Sequence, residues 1–345
     1  MTASSRHVPE TLWEDGEFVL SRGVVWDGEG LPLLAAMPSS TQPSLETLGR
    51  LQHAYALREE LDPAWATRPL RLELHKGRLT LLMEDPGGEP LLRLTGRPWE
   101  IASFLRLAIG IATAVGQVHQ RGLIHKDIKP ANVLVNSVTG QVWLTGFGIA
   151  SRLPRERQAP APPEVIAGTL AYMAPEQTGR MNRSIDFRSD LYALGVTFYE
   201  MLTGELPFTA SDPMAWVHCH IARQPMPPDK RVAGIPRSLS AIVMKLLAKN
   251  AEDRYQTAAG LAVDLRKCLT EWESHRGIEP FPLGADDVSD RLMAPEKLYG
   301  REHEIERLLG AFNRVVTDGA TELVLVSGYA GIGKSSVVKD RKSVV

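Results

Sequence analysis

Cysteine is almost missing from this chain: Cys219 and Cys268 are the two present in 345 residues. So few thiols exclude a disulfide framework and fit a reducing compartment. Charge of one sign is missing as well. The net charge is −2 at neutral pH, which gives no ground for expecting a nucleic acid or an anionic membrane surface as partner. The sequence contains no uninterrupted apolar run of about 18 residues, the length a membrane-crossing helix requires. The opening "MTASSRHVPE" lacks the apolar stretch of a signal peptide. The expected location is therefore the cytoplasm, with no membrane segment in this stretch of chain. Lysine is missing from the whole first part, the earliest being Lys76.

What is present is ordinary globular material, 43% hydrophobic and 23% charged. The length suits one large domain and part of another, at roughly 100–250 residues per domain. Residues 1–95 read mainly as strands. "FVLSRGVV" (18–25) and "LPLLAAM" (31–37) flank an Asp-Gly hairpin signal, and "RPLRLEL" and "RLTLLME" flank "HKG". Between these hairpins, 43–62 carries Leu45, Leu48, Leu51, Tyr55 and Leu61 at near-helical spacing, with Ser44 as N-cap. After "MEDPGGEP" the texture turns helical. Residues 101–122 place Leu105, Ala108, Ala112, Val115 and His119 on one stripe that stops at Gly122. Further amphipathic segments are expected near 189–203, 212–223, 238–249 and 256–272. A strand-rich lobe followed by a helical lobe predicts a ligand cleft between them.

Three stretches carry chemistry. "HKDIKPANVLVN" (125–136), "GTLAYMAPEQ" (168–177) and "SDLYALGVTFYEMLTGELPF" (189–208) follow one another, with "EDRYQTA" further on. Together they resemble the catalytic loop, the end of the activation segment and the central helix of Hanks-type serine/threonine protein kinases. Phosphoryl transfer rests on positioning and electrostatics, so such a loop needs a carboxylate, an amide that can hold a metal, and a cation beside the moving phosphoryl group. The resemblance implies Asp127 as base, Lys129 as phosphate contact and Asn132 as metal ligand. It also implies structural roles for His125, Asp190 and a Glu176–Arg254 pair. It covers roughly residues 18–272 and implies an α+β, bilobal kinase-like fold.

Other parts of that machinery are missing. No G-x-G-x-x-G precedes residue 95, "WEDGEF" offering a single glycine. The third strand, "LPLLAAM", has no lysine, and the middle of the helix that follows reads "LQHAYAL", without a glutamate. Gly146 in "LTGFGIA" stands where the family's D-F-G aspartate would bind magnesium. Between Ile149 and Gly168 the single hydroxyl is Ser151, so the segment has almost no acceptor for a regulatory phosphate. The expectation is a kinase-family signalling domain with weak or no catalysis. The alternative is an active ATP-dependent Ser/Thr kinase with Asp127 as base. "HCH" (218–220) is expected to be core and surface, not a zinc site, because consecutive helical residues face different ways.

Residues 276–297 lose periodicity and gain Pro, Gly and Asp, which reads as a linker. Beyond it, "LVLVS" reads as a strand running into Gly328-Tyr-Ala-Gly331-Ile-Gly333-Lys334-Ser335, which fits G-x-x-x-x-G-K-[ST]. Backbone N–H groups of such a turn cradle phosphates, Lys334 would reach the β and γ oxygens, and Ser335 would bind Mg²⁺. The upstream "LYGREHEIERLL" resembles the entry to STAND/AAA-like ATPase modules. The expected divisions are a kinase-like N-lobe (1–95), a C-lobe (96–275), a linker (276–297) and the start of a truncated α/β P-loop ATPase domain (298–345). The resemblance extends to large bacterial multidomain kinase, ATPase and sensor histidine kinase proteins. It implies ATP and Mg²⁺ at the P-loop, downstream domains of the same longer chain as partners, and a protein substrate or regulator.

Overall fold

A computed structural model describes residues 9–26, 29–75, 77–152, 156, 168–181 and 183–288, with scattered residues from 303 to 334. The first lobe is a five-stranded antiparallel sheet of β1 (Glu10–Glu14), β2 (Phe18–Trp26), β3 (Glu29–Pro38), β4 (Pro69–His75) and β5 (Arg78–Glu84), in the order β1-β2-β3-β5-β4. Both expected hairpins are present. The strand "ETLWE" was not foreseen, and it pairs with β2 through an irregular register.

One helix, α1 (Leu45–Ala56), lies against this sheet. Ser44 caps it, its hydroxyl accepting from Thr47 N at 3.0 Å. The expected 43–62 helix is corrected at its end. It stops at Ala56, and Glu59 and Glu60 fall in the turns that follow. Leu57 and Leu61 stay buried there, so the apolar spacing continues although the helix does not.

The linker between lobes is clamped to the sheet. Arg22 on β2 binds Asp85 through Nε at 2.7 Å and donates from Nη2 to Gly88 O at 2.6 Å. A short strand, β6 (Glu89–Pro90), then joins β7 (Val133–Val135) and β8 (Val142–Leu144) in a three-stranded sheet below the cleft. Thr67 N donates to Leu144 O and Leu144 N to Trp65 O, both at 2.9 Å, so the small sheet also ties the lobes together.

The helical lobe is built on α2 (Ile101–Gln120), α3 (Phe187–Thr203), α4 (Pro213–Ile221), α5 (Pro228–Arg231), α6 (Arg237–Leu246) and α7 (Ala258–His275). By length and composition α2 could cross a membrane, yet it packs as a core helix, with Leu105, Ala108, Ala112 and Val115 fully buried. It ends in a Schellman motif. Leu123 N donates to Val118 O, Gly122 N donates to His119 O, and Gly122 takes φ +75°. One apolar cluster runs from Leu20 and Leu34 through Phe104 and Leu144 to Leu191, Leu246 and Leu261.

The most deeply buried ion pair in this lobe joins Arg254 to Glu176. Arg254 Nη1 donates to Glu176 Oε1 at 2.7 Å and Nη2 to Oε2 at 2.9 Å. The remaining N–H groups of Arg254 reach the carbonyls of Ala248, Arg188 and Lys249. Ser189 Oγ donates to the same glutamate at 2.7 Å. Burial raises the pKa of Glu176, and the Arg254 charge and its hydrogen bonds more than reverse that, leaving it below the usual carboxylate range.

In "HCH", His218 is exposed while Cys219 and His220 are buried. His220 packs among Tyr192, Phe208 and Trp216. The run 321–329 forms no strand, and Leu323 and Leu325 are 94% and 87% exposed. The strand expected at "LVLVS" has no ladder partner among the described residues, and a strand exists only through pairing.

Two measurements follow from this lobe. Arg254→Ala leaves the Glu176 charge buried without its partner and is expected to cost about 3–5 kcal/mol in urea unfolding; an unchanged midpoint contradicts the pairing. Burial lowers the pKa of His220 from 6.5 to about 3. As pH falls below 6.5, the unfolded state gains a proton that the folded state refuses. Stability is therefore expected to drop by about 2 kcal/mol from this group between pH 6.5 and pH 5. A His220→Phe variant should show that much less acid sensitivity.

Candidate active site

A buried carboxylate on α3 shapes the loop. Asp190 Oδ2 accepts from His125 N at 2.8 Å and from His119 Nε2 at 2.9 Å, while Oδ1 accepts from Lys126 N at 2.8 Å. Lys126 is held at φ +67°, a left-handed conformation that costs energy for a side chain of its size. The His125 ring donates from Nε2 to Thr145 O at 2.9 Å and accepts Asp127 N–H at Nδ1, 3.3 Å away. That pair of bonds fixes one neutral tautomer. Burial lowers the His125 pKa further than Asp190 and Asp127 raise it.

Asp127 then projects into the cleft, its side chain 16% exposed. Its Oδ1 accepts from Thr169 N at 3.1 Å and from Thr169 Oγ1 at 3.0 Å. Its Oδ2 takes Asn132 Nδ2 at 2.9 Å and lies 3.2 Å from Lys129 Nζ. Burial favours the neutral acid, but Lys129 and these hydrogen bonds outweigh it and hold the carboxyl below its ordinary pKa. Lys129 is the mirror case: burial pulls its pKa down, and Asp127 and Asp15 raise it above normal.

Asp15 was not anticipated. It stands in the β1–β2 turn over the cleft, where its Oδ1 accepts from Glu17 N and Phe18 N at 3.1 and 2.9 Å. Its Oδ2 reaches across to Lys129 Nζ at 3.2 Å. One carboxylate thus shapes the turn and latches it to the loop below. Glu17, from the same turn, pairs with Arg50 of α1 at 2.5 Å, and Arg50 also binds Glu46 at 2.7 Å. The signal for this was in "WEDGEF", whose single glycine lies between two acids.

Gly146 takes φ +83° at the cleft floor. A Cβ there would lie 2.5 Å from Asn132 Cγ and 2.6 Å from Oδ1 and Nδ2. The Asn132 side chain occupies the space an aspartate at 146 would enter. Its amide is directed to Asp127, bonding both Oδ2 and the backbone carbonyl. On β3, Ala36 lines the cleft with no lysine beside it. The activation segment is tied down at Glu156, which receives Lys126 Nζ at 2.9 Å and exchanges backbone hydrogen bonds with Ile185. Arg152 pairs with Glu60.

The structure therefore brings together Asp127, Lys129 and Asn132, supported by His125 and Asp190, and places Glu176 and Arg254 in the core below. Of the P-loop residues, Lys334 Nζ donates to the carbonyls of Gly328 and Tyr329 at 2.8 Å. Gly331, Gly333 and Ser335 lie outside the described residues.

A loop of this shape between an antiparallel lobe and a helical lobe defines the class as the bilobal kinase fold. Sequence comparison agrees. The family model "Protein kinase domain" matches residues 70–264, more than half of the chain, and "AAA ATPase domain" matches 297–342. The chain belongs to the protein kinase family, in its serine/threonine branch. It is 44% identical over 147 residues to the serine/threonine-protein kinase PknB of Mycobacterium tuberculosis, covering 43% of this chain and 23% of that one. PknB of Mycobacterium leprae is 40% identical over 187 residues, or 54% and 29% of the two chains. The hybrid signal transduction histidine kinase G of Dictyostelium discoideum is 29% identical over 325 residues, 69% of this chain and 9% of that one. The chain thus spans less than a third of each of these relatives. The kinase match starts at residue 70, past β1–β3 and α1, where the missing nucleotide contacts would lie.

Gly146→Ala tests the packing at the cleft floor. Overpacking of this kind costs about 1–3 kcal/mol, and thermal melts are expected to show it. The loss should shrink when Asn132→Gly is added, because the collision is with that side chain. Equal losses in both backgrounds would remove the contact from the account.

Proposed function

We propose that this domain is a kinase-family signalling module with little or no phosphotransfer, acting as regulatory input to the ATP-binding module that follows it. ATP and Mg²⁺ are the general cofactors of both families, and the fit of the cleft to them can be judged from its residues. The observation that carries the reading is Gly146: the position offers no carboxylate, and the Asn132 amide fills the space and turns toward Asp127. No lysine from β3 reaches the cleft, and Lys129 already serves Asp127, Asp15 and Thr169. The residues present do not fit a Mg²⁺–nucleotide complex, whose phosphates would be left without counter-charge in a poorly solvated cleft. ATP and Mg²⁺ are assigned instead to the P-loop through Lys334 and Ser335. The partners are the downstream domains of its own longer chain and a protein substrate or regulator, in the cytoplasm.

A second reading, an active Ser/Thr kinase, is favoured by one observation. Asp127, Lys129, Asn132 and Thr169 form a single hydrogen-bonded cluster at the cleft mouth. In that reading Asp127 takes the hydroxyl proton, Lys129 contacts the phosphoryl group and Asn132 holds the metal.

Melting of residues 1–288 with nucleotide separates the two. A ligand at 100 times its Kd stabilises a fold by about 2.7 kcal/mol, roughly 5–10 °C for a domain of this size. The expected shift with millimolar ATP is below about 2 °C and the same with Mg²⁺ or EDTA, with no label transferred from ATP to generic substrates in Mg²⁺ or Mn²⁺. A large shift that EDTA abolishes, or measurable transfer, establishes the second reading.

A further inference from the structure

The cleft holds a cavity of about 310 Å³ that starts at Asp127, Asn132 and Gly146 and extends up between the sheet and α1. Leu20, Ala36, Leu51, Ala54, Leu61 and Leu81 are among the residues that line it, drawn from the sheet, from α1 and from the segment after α1. None of the linker residues 84–90 is among its lining residues. On that side, Leu34 lies two residues before Ala36 on the same face of β3, is paired with Met83 on β5, and is fully buried. The space therefore runs behind the sheet toward α1, where Ala36 and Ala54 contribute only methyl groups. Of the threonines that line it, Thr67 is already directed at Leu144 O and the Met83 sulfur, and Thr169 at Asp127.

Charge narrows the occupant further. The rim carries Asp15, Glu17 and Asp127 against Lys129 and Arg50. Both cations are committed to those carboxylates, and Arg50 to Glu46 as well. An anion arriving here meets surplus negative charge and cations already paired with carboxylates, whereas a neutral body meets a mainly apolar wall in which the buried N–H groups Trp13 Nε1 and Arg50 Nε have no partner among the described residues. The volume is at the lower end of the range for small-molecule pockets, which run about 300–1,000 Å³.

We infer that the cleft is a binding site for an uncharged, mainly apolar small molecule of two or three fused rings, seated between β3, β5 and α1. This rests on the reading that the domain does not use a nucleotide, and it gives the domain a ligand of its own. Binding needs no metal, and the Asp15–Lys129 latch closes over the occupant.

The test uses the full 345-residue chain and the fluorescent probe 1-aminoanthracene, with anthracene-2-sulfonate as its anionic counterpart. The expected result is saturable binding of 1-aminoanthracene, with at least about tenfold weaker binding of the sulfonate, since like charge at the rim opposes it. Ala36→Phe and Ala54→Phe fill the cavity from opposite walls, and each should weaken the probe at least about tenfold while keeping the circular dichroism of the parent. Ala36→Leu is the milder substitute where a phenylalanine does not fold. Non-saturable binding, or binding that folded cavity-filling variants leave unchanged, overturns the inference. Equal affinity for the sulfonate overturns its charge argument. Displacement of the probe by millimolar Mg²⁺–ATP overturns both this inference and the reading beneath it. A failure to bind either probe or ATP overturns this inference alone.

Discussion

The cleft depends on Asp190. A carboxylate buried on α3 accepts two successive backbone N–H groups, His125 and Lys126, and the imidazole of His119. Those bonds, with Gln177 Nε2 donating to Lys126 O, hold Lys126 in a left-handed backbone, and that turn aims Asp127 outward and Lys126 toward Glu156. The carboxylate stays ionised because those donors and the neighbouring histidines outweigh its burial. The floor of the site is thus fixed by the helical lobe, whether or not any chemistry happens above it. Asp127 and His125 are therefore weak witnesses of catalysis, because both are needed to build the loop.

Electrostatics inside the cleft is self-contained. In a nucleotide-bound kinase the cations face the ligand's phosphates and the carboxylates face its metal. Here the same residue types face one another: Lys129 between Asp15 and Asp127, Arg50 between Glu17 and Glu46, and the Asn132 amide on Asp127. Partly buried pairs of this sort lose much of their value when one member is drawn away, because the other stays desolvated. An incoming anion must compete with contacts the protein has already made.

Much of the fold was legible in the sequence because burial is periodic. The stripe of α2, the Ser44 cap and both hairpins follow from local spacing and turn chemistry. The loop residues Asp127, Lys129 and Asn132, with Glu176 and Arg254, were legible because their spacing is distinctive. The Asp15 latch was not, since it spans 114 positions in the chain and exists only once the two lobes meet. Arg50 escaped for the same reason, being an ordinary surface arginine by sequence. The end of α1 was misjudged because Leu57 and Leu61 continue its apolar rhythm through turns. "LVLVS" has the composition of a strand, but composition supplies no neighbour to pair with.

The tether between Lys126 and Glu156 has a bearing on time and inheritance. Where a segment is docked by a phosphorylated hydroxyl, the bond is an ester, made and hydrolysed by other enzymes within a cell's lifetime. Glu156 presents its negative charge from the moment of translation, and no phosphatase can erase it. The contact at Glu156 is consequently encoded in the gene and not in the history of the cell.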